Sequence, residues 1–171
     1  GWAAGYSACS YGTCDTGILM HYTANSGWQT ATLPDRPDGW HWDTFSDVDI
    51  QGSTGWIAGR GTYNPYLYPD SSNYFLRLDG SSWTPITAPI DANGVSIVSA
   101  DEAWAVGQDI YNTASFAHFS NGSWSIVRPP TLPNRTYLND IYMLNANEGW
   151  AVGYAMSSYT PRAAQCIMLH Y

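Results

Sequence analysis

Apolar residues in this chain fall into short runs rich in β-branched and aromatic side chains, each closed by Gly, Asn, Ser or Pro. That pattern predicts short strands in antiparallel meanders, because a pleated surface suits β-branched and aromatic residues while turns take the residues that punctuate them. The runs also repeat. Gly1-Trp2-Ala3-Ala4-Gly5, Gly55-Trp56-Ile57-Ala58-Gly59, Ala103-Trp104-Ala105-Val106-Gly107 and Gly149-Trp150-Ala151-Val152-Gly153 are copies of one motif, their tryptophans 54, 48 and 46 residues apart. A second run follows each copy: Ile18–Tyr22, Tyr74–Leu78, Ser115–Phe119 and Ile167–Tyr171. After a polar turn, a third opens around Trp28, Trp83 or Trp124 and leads into Pro34, Pro89 or Pro129. A fourth precedes the motif in three copies, as Ser46–Ile50, Gly94–Val98 and Asn139–Met143.

Four short strands in a period of roughly 40–50 residues match a propeller blade. The expected fold is therefore all-β, a β-propeller of four-stranded antiparallel blades, with about 3.5 blades and 14 strands distributed over repeats 1–34, 44–89, 94–130 and 138–171. These residues are read as one domain or one contiguous segment, opening on the second strand of a blade and stopping on the third. Terminal sheets of such an array expose a face and an edge. Three outcomes are open: a piece of a longer propeller, a small four-bladed ring, or copies joined edge to edge.

The motif, followed by Ile-Leu-Met-His-Tyr and by turns such as Asn25-Ser26-Gly27-Trp28, Asp79-Gly80-Ser81-Ser82-Trp83 and Asn121-Gly122-Ser123-Trp124, resembles the BNR or Asp-box-like propeller repeats in degenerate form. The resemblance covers nearly all of the chain and implies architecture. Such repeats occur in sialidases, photosystem assembly factors and sortilin-like receptors, so activity does not travel with them.

Charge excludes some partners. Six arginines and no lysine stand against fourteen acids, for a net charge of −8. Nucleic-acid binding needs clustered positive charge to displace phosphate counterions, and an anionic membrane surface needs the same. Nor does any run approach the ~20 apolar residues of a membrane span. The first residues lack the charged-then-apolar pattern of a signal peptide, although Gly1 need not be the encoded start. Cys9 and Cys14 flank a short loop that can close as a disulfide or stay reduced, and a closed pair implies an oxidising compartment. Cys166, in an apolar run, is expected to be a buried small hydrophobe.

Repetition also identifies scaffold. His21, His118 and His170 share one repeat position with Arg77, Glu102 and Glu148 share another, and Asp47 matches Asp140 if one hairpin is a residue shorter. No metal, cofactor or catalytic residue is expected. The two glutamates are taken by equivalent turns, where a glycosidase needs facing carboxylates, and the arginines are scattered where a sialidase-like site needs them clustered.

The seven repeat tryptophans are expected to pack blade on blade. Other aromatics lie in long loops and connections that a meander places on one face, among them Trp40, Trp42, Tyr63, Tyr66, Tyr68, Tyr111 and Tyr159, with Tyr6, Tyr11 and Tyr154 in the same loops. Rigid aromatic rings beside short polar residues suit saccharide or protein recognition, although such loops also pack to order themselves. Asn121-Gly122-Ser123 and Asn134-Arg135-Thr136 fit the glycan-acceptor pattern. The expectation is a non-catalytic binding module, secreted or on the cell surface, that recognises glycan or protein through this face. One alternative is a structural subunit that self-associates through its open terminal strands. Another is a piece of a sialidase-like Asp-box hydrolase.

Overall fold

The computed structural model describes residues 1–7, 16–37, 42, 44–60, 73–157 and 163–171. They form fourteen strands: β1 (Trp2–Ser7), β2 (Thr16–Thr23), β3 (Gly27–Thr30), β4 (Thr44–Gln51), β5 (Thr54–Arg60), β6 (Asn73–Asp79), β7 (Ser82–Ala88), β8 (Asp91–Ser99), β9 (Glu102–Gln108), β10 (Ala114–Ser120), β11 (Ser123–Val127), β12 (Thr136–Asn145), β13 (Glu148–Met156) and β14 (Ala164–His170). The strands make four antiparallel meanders, β1-β2-β3, β4-β5-β6-β7, β8-β9-β10-β11 and β12-β13-β14. Sequence periodicity predicts this same division into three, four, four and three strands. Turn chemistry explains the tight hairpins: Asn121 (φ 52°) and Gly122 (φ 80°) both adopt positive φ, as a turn matching the twist of its strands requires.

The four sheets pack face to face in chain order. Between the first and second lies a core of Leu19, Phe45, Ile57, Leu76, Leu78 and Trp83. Between the second and third lie Trp56, Phe75, Ile90, Val95, Phe119 and Trp124. Between the third and fourth lie Trp104, Val106, Leu138, Ile141 and Met143, with Phe116 and Leu169 partly covered. Alternation along each strand makes this possible: in β5, Trp56 and Ala58 face the third sheet, while Ile57 faces the first.

One aromatic joint recurs. The Trp of a sheet's Gly-Trp-Ala motif is met edge-on by the Trp at the start of the outer strand of the next sheet. Trp2 and Trp83 lie 5.3 Å apart at 82°. Trp56 and Trp124 lie 4.9 Å apart at 78°. Edge-to-face packing of this kind adds about 0.5–1.5 kcal/mol to the area the rings bury.

At the opposite edge, β4 lies against β8 and β8 against β12. Side chains of one strand there satisfy backbone groups of the next. The N–H groups of Val95 and Ile97 donate to Asp47 Oδ2 and Asp49 Oδ2, each at 2.8 Å. Met143 N–H donates to Ser96 Oγ at 2.9 Å. Register shifts mark β-bulges at Ser46, Asn93 and Asn139. The first two bulge residues reach the next sheet, Ser46 Oγ donating to Ala92 O at 2.7 Å and Asn93 Nδ2 to Leu138 O at 2.8 Å. A buried backbone group without a partner costs about 1–3 kcal/mol, so these contacts fix how the sheets sit on one another.

Two expectations need correction. Trp28 does not pack between sheets: it is 48% exposed on the outer face of the first sheet, where its ring lies 5.5 Å from Tyr22. Cys166 is exposed rather than buried, and its thiol is free. It lies in β14, which among the described residues pairs with β13 alone.

Candidate functional site

Seven residues singled out from the sequence, Trp40, Tyr63, Tyr66, Tyr68, Tyr159, Cys9 and Cys14, lie outside the described residues. Trp42 and Tyr111 lie within them and differ in environment. The Trp42 indole turns inward and donates to Pro34 O at 2.7 Å. Its ring leans on Phe45 at 5.7 Å and lies under the Arg36 guanidinium at 5.5 Å. It is part of the packing between the first two sheets.

Tyr111 stands out at 80% exposure, beside exposed Ile110, on the β9–β10 loop. That loop is held from within. Asp109 Oδ1 accepts the N–H groups of Tyr111 and Thr113, both at 2.9 Å, and Asp109 O accepts Asn112 N–H at the same distance. Asn112 sits at φ 56°, a conformation that Asn tolerates better than most residues. The aromatic is therefore displayed on a short, braced loop.

Beside it lies a hollow of about 210 Å³ lined by Asn112, Thr113, Pro129, Pro130, Leu132 and Asn134. One wall comes from the loop between second and third strands, the other from the connection into the fourth sheet, so these two segments do share a face. Sequence reading named Tyr111 but missed Ile110 and the proline wall; Asp109, able to cap its own loop, was the available signal. In the acceptor pattern at Asn134, the Thr136 hydroxyl is buried and donates to Pro133 O at 2.7 Å.

The charged repeat positions serve the scaffold. Trp2, Trp104 and Trp150 face His21, His118 and His170 across their hairpins and stack on them at 4.2, 4.2 and 4.7 Å. In the second sheet Arg77 takes this place, its guanidinium 5.8 Å from the Trp56 ring and its NH2 group donating to Ala100 O at 3.0 Å. His118 Nε2 lies 3.1 Å from Glu102 Oε1, and His170 Nε2 lies 3.9 Å from Glu148 Oε1. Among the described residues, no cluster of three or more His, Cys, Asp or Glu could hold a metal ion. Burial raises the Asp47 carboxyl above its usual range, against the pull of its hydrogen bonds from Val95 and Val48, with Asp140 and Asp49 adding to the rise.

The outer faces of the terminal sheets are apolar and open. Tyr22 and Trp28 are exposed on the first sheet, and Tyr142, Leu144, Val152 and Met168 on the fourth, Met168 at 73%. Repeat reading expects an open face on the terminal sheets but singles out none of the residues of this second group. Asn139 and Asp140 are also exposed there, at the positions from which Ser46 and Asp47 hold the following sheet.

No protein-family model and no curated protein sequence matches the chain. Among solved structures it is similar to YCF48 bound to D1 peptide, at 21% identity and a TM-score of 0.45, over 71% of this chain. The match spans 40% of that structure's chain.

Proposed function

We propose that the four sheets are successive blades of a β-propeller and that the chain is a non-catalytic protein-interaction and assembly module working through the outer faces of its first and last sheets. The observation that carries this reading is the apolar exposure of those faces, Tyr22 and Trp28 on one and Tyr142, Leu144, Val152 and Met168 on the other. A contiguous exposed apolar surface marks an interaction site, because leaving it in water forgoes about 25 cal/mol per Å². The blade reading is supported by the recurring Trp–Trp joint and by the side-chain bonds from the second sheet to the third and from the third to the fourth. A non-catalytic role is supported by the scaffold duties of Asp47, Asp49, Glu102, His118 and Arg77.

Light scattering coupled to size exclusion tests it. The expected result is a mass that rises with concentration and falls to the monomer in Trp28→Asp or Met168→Asp. A monomer at every concentration, with no retention of partner proteins that depends on these residues, refutes it.

A second reading, recognition of glycan or protein by the loop face, is favoured by the braced Tyr111 and its adjoining hollow. Loss of glycan-array or partner binding in Tyr111→Ala supports it, and unchanged binding rejects it.

A further inference from the structure

The hollow beside Tyr111 is small and mostly apolar, and one cation stands at its rim. Its volume of about 210 Å³ is below the roughly 300–1,000 Å³ of pockets that enclose a whole small molecule, yet above the roughly 150 Å³ that already admits benzene. It has room for a single ring. One wall is made of prolines and Leu132, surfaces that offer a sugar few hydrogen bonds. The Thr136 hydroxyl is already given to Pro133 O. That leaves the side chains of Asn112, Thr113 and Asn134 as the polar groups of the lining. An apolar floor with a few amides suits a side chain of a protein better than a saccharide.

The rim is formed by two braced turns. On the Tyr111 side, the carboxylate of Asp109 is taken up by N–H groups of its own loop. On the other side, Arg135 stands between the lining residues Asn134 and Thr136 at φ 61°, its carbonyl accepting Met156 N–H at 3.1 Å. Arg36 and Arg77 lie over aromatic rings. Arg135 is different: it is exposed, and among the described residues its guanidinium makes no ion pair or hydrogen bond. An unpaired cation on a fixed turn favours a carboxylate in whatever docks beside it.

We infer that this hollow seats one aromatic side chain of a partner protein, next to an acidic residue that pairs with Arg135, while Tyr111 and Ile110 pack against the segment that carries both. The inference rests on the loop-face reading and narrows its ligand to protein. Tyr and Arg are the residue types that most often carry binding energy at protein interfaces, and preformed turns lower the cost of ordering the surface.

The probe is a phage-displayed library of random peptides, depleted on a variant carrying both Tyr111→Ala and Arg135→Asn and then selected on the unaltered chain. Both positions are exposed and Asn tolerates positive φ, so the variant keeps its turns. Peptides enriched in Trp, Tyr or Phe beside Asp or Glu are expected. As synthetic peptides they should lose at least about tenfold in affinity when the aromatic becomes Ala. Arg135→Asn should weaken them about two- to fivefold, a loss that disappears at high salt. No enrichment, enriched peptides without the paired aromatic and acid, or binding indifferent to Arg135→Asn overturns the proposal. Peptides that need Tyr111 but neither the acid nor Arg135 refute it and leave the loop-face reading standing, as does Tyr111-dependent binding to glycans with none to peptides. Binding that survives Tyr111→Ala removes both.

Discussion

Gly107 is where one methyl group probes how closely two strands are drawn together. The last glycine of the motif faces the bulge of the preceding strand in three sheets: Gly59 pairs with Phe45, Gly107 with Ala92 and Gly153 with Leu138, each just before the register shifts. A Cβ on Gly107 would fall on Asp91 O and within 2.7 Å of Ala92 Cα, so the obstruction is backbone and cannot rotate away. Overpacking of this sort costs about 1–3 kcal/mol. Gly5, the same motif position in the first sheet, has nothing within 4 Å of its Cβ direction among the described residues. There the lower backbone entropy of Ala in the unfolded chain makes Gly5→Ala neutral or stabilising by up to about 1 kcal/mol.

The two substitutions are thus expected to move stability in opposite directions. Urea denaturation with fitted m-values is the assay, and each kcal/mol should shift Tm by roughly 2–4 °C for a chain of this size. A Gly107→Ala protein as stable as the parent, or a Gly5→Ala protein equally destabilised, refutes the account.

Replacing Trp56, fully buried among Phe75, Phe119 and Trp124, with Ala should cost about 3–5 kcal/mol, while Trp28→Ala should stay within about 0.5 kcal/mol, by the same denaturation assay. Because burial raises the Asp47 carboxyl, its NMR titration should be centred above 3.8, and a midpoint at or below 3.8 contradicts the packing described. A raised acid favours folding most while protonated, so this contribution is full below 3.8 and is lost as pH rises through the elevated midpoint; Asp47→Asn should remove that part of the pH dependence. Peptide mapping after brief alkylation of the native protein should find Cys166 modified, and protection of that thiol would contradict its exposed place in β14.

The strands were legible because each repeat states its pattern again: Gly-Trp-Ala-Val-Gly read once is ambiguous, but four ordered copies with matching runs on either side are not. The shared His and Arg position was visible as a position. Its purpose, covering the face of a cross-strand tryptophan, depends on hairpin register, which the spacing alone does not set. Trp42 and Tyr111 show the limit for sites. Both are aromatics beside polar loop residues, yet one indole finds a carbonyl across the chain at Pro34 and packs, while the other ring is held outward by Asp109. Trp28 failed as a packing residue because a repeat position implies a neighbour that only the three-dimensional arrangement can supply.

The repeated joint also bears on how such a chain changes over generations. The second and third sheets each carry a Trp on one face to be gripped and an outer-strand Trp to grip with, and their first strands carry the polar groups that position the sheet after them. A duplicated or deleted repeat therefore brings both halves of its own connections, and its new neighbours already hold the complementary halves. Repeat number can be altered by recombination without compensating substitutions, while a change at a single joint residue must be matched in a partner 45 to 48 positions away at the polar bonds and 68 or 81 positions away at the tryptophan pairs Trp56–Trp124 and Trp2–Trp83.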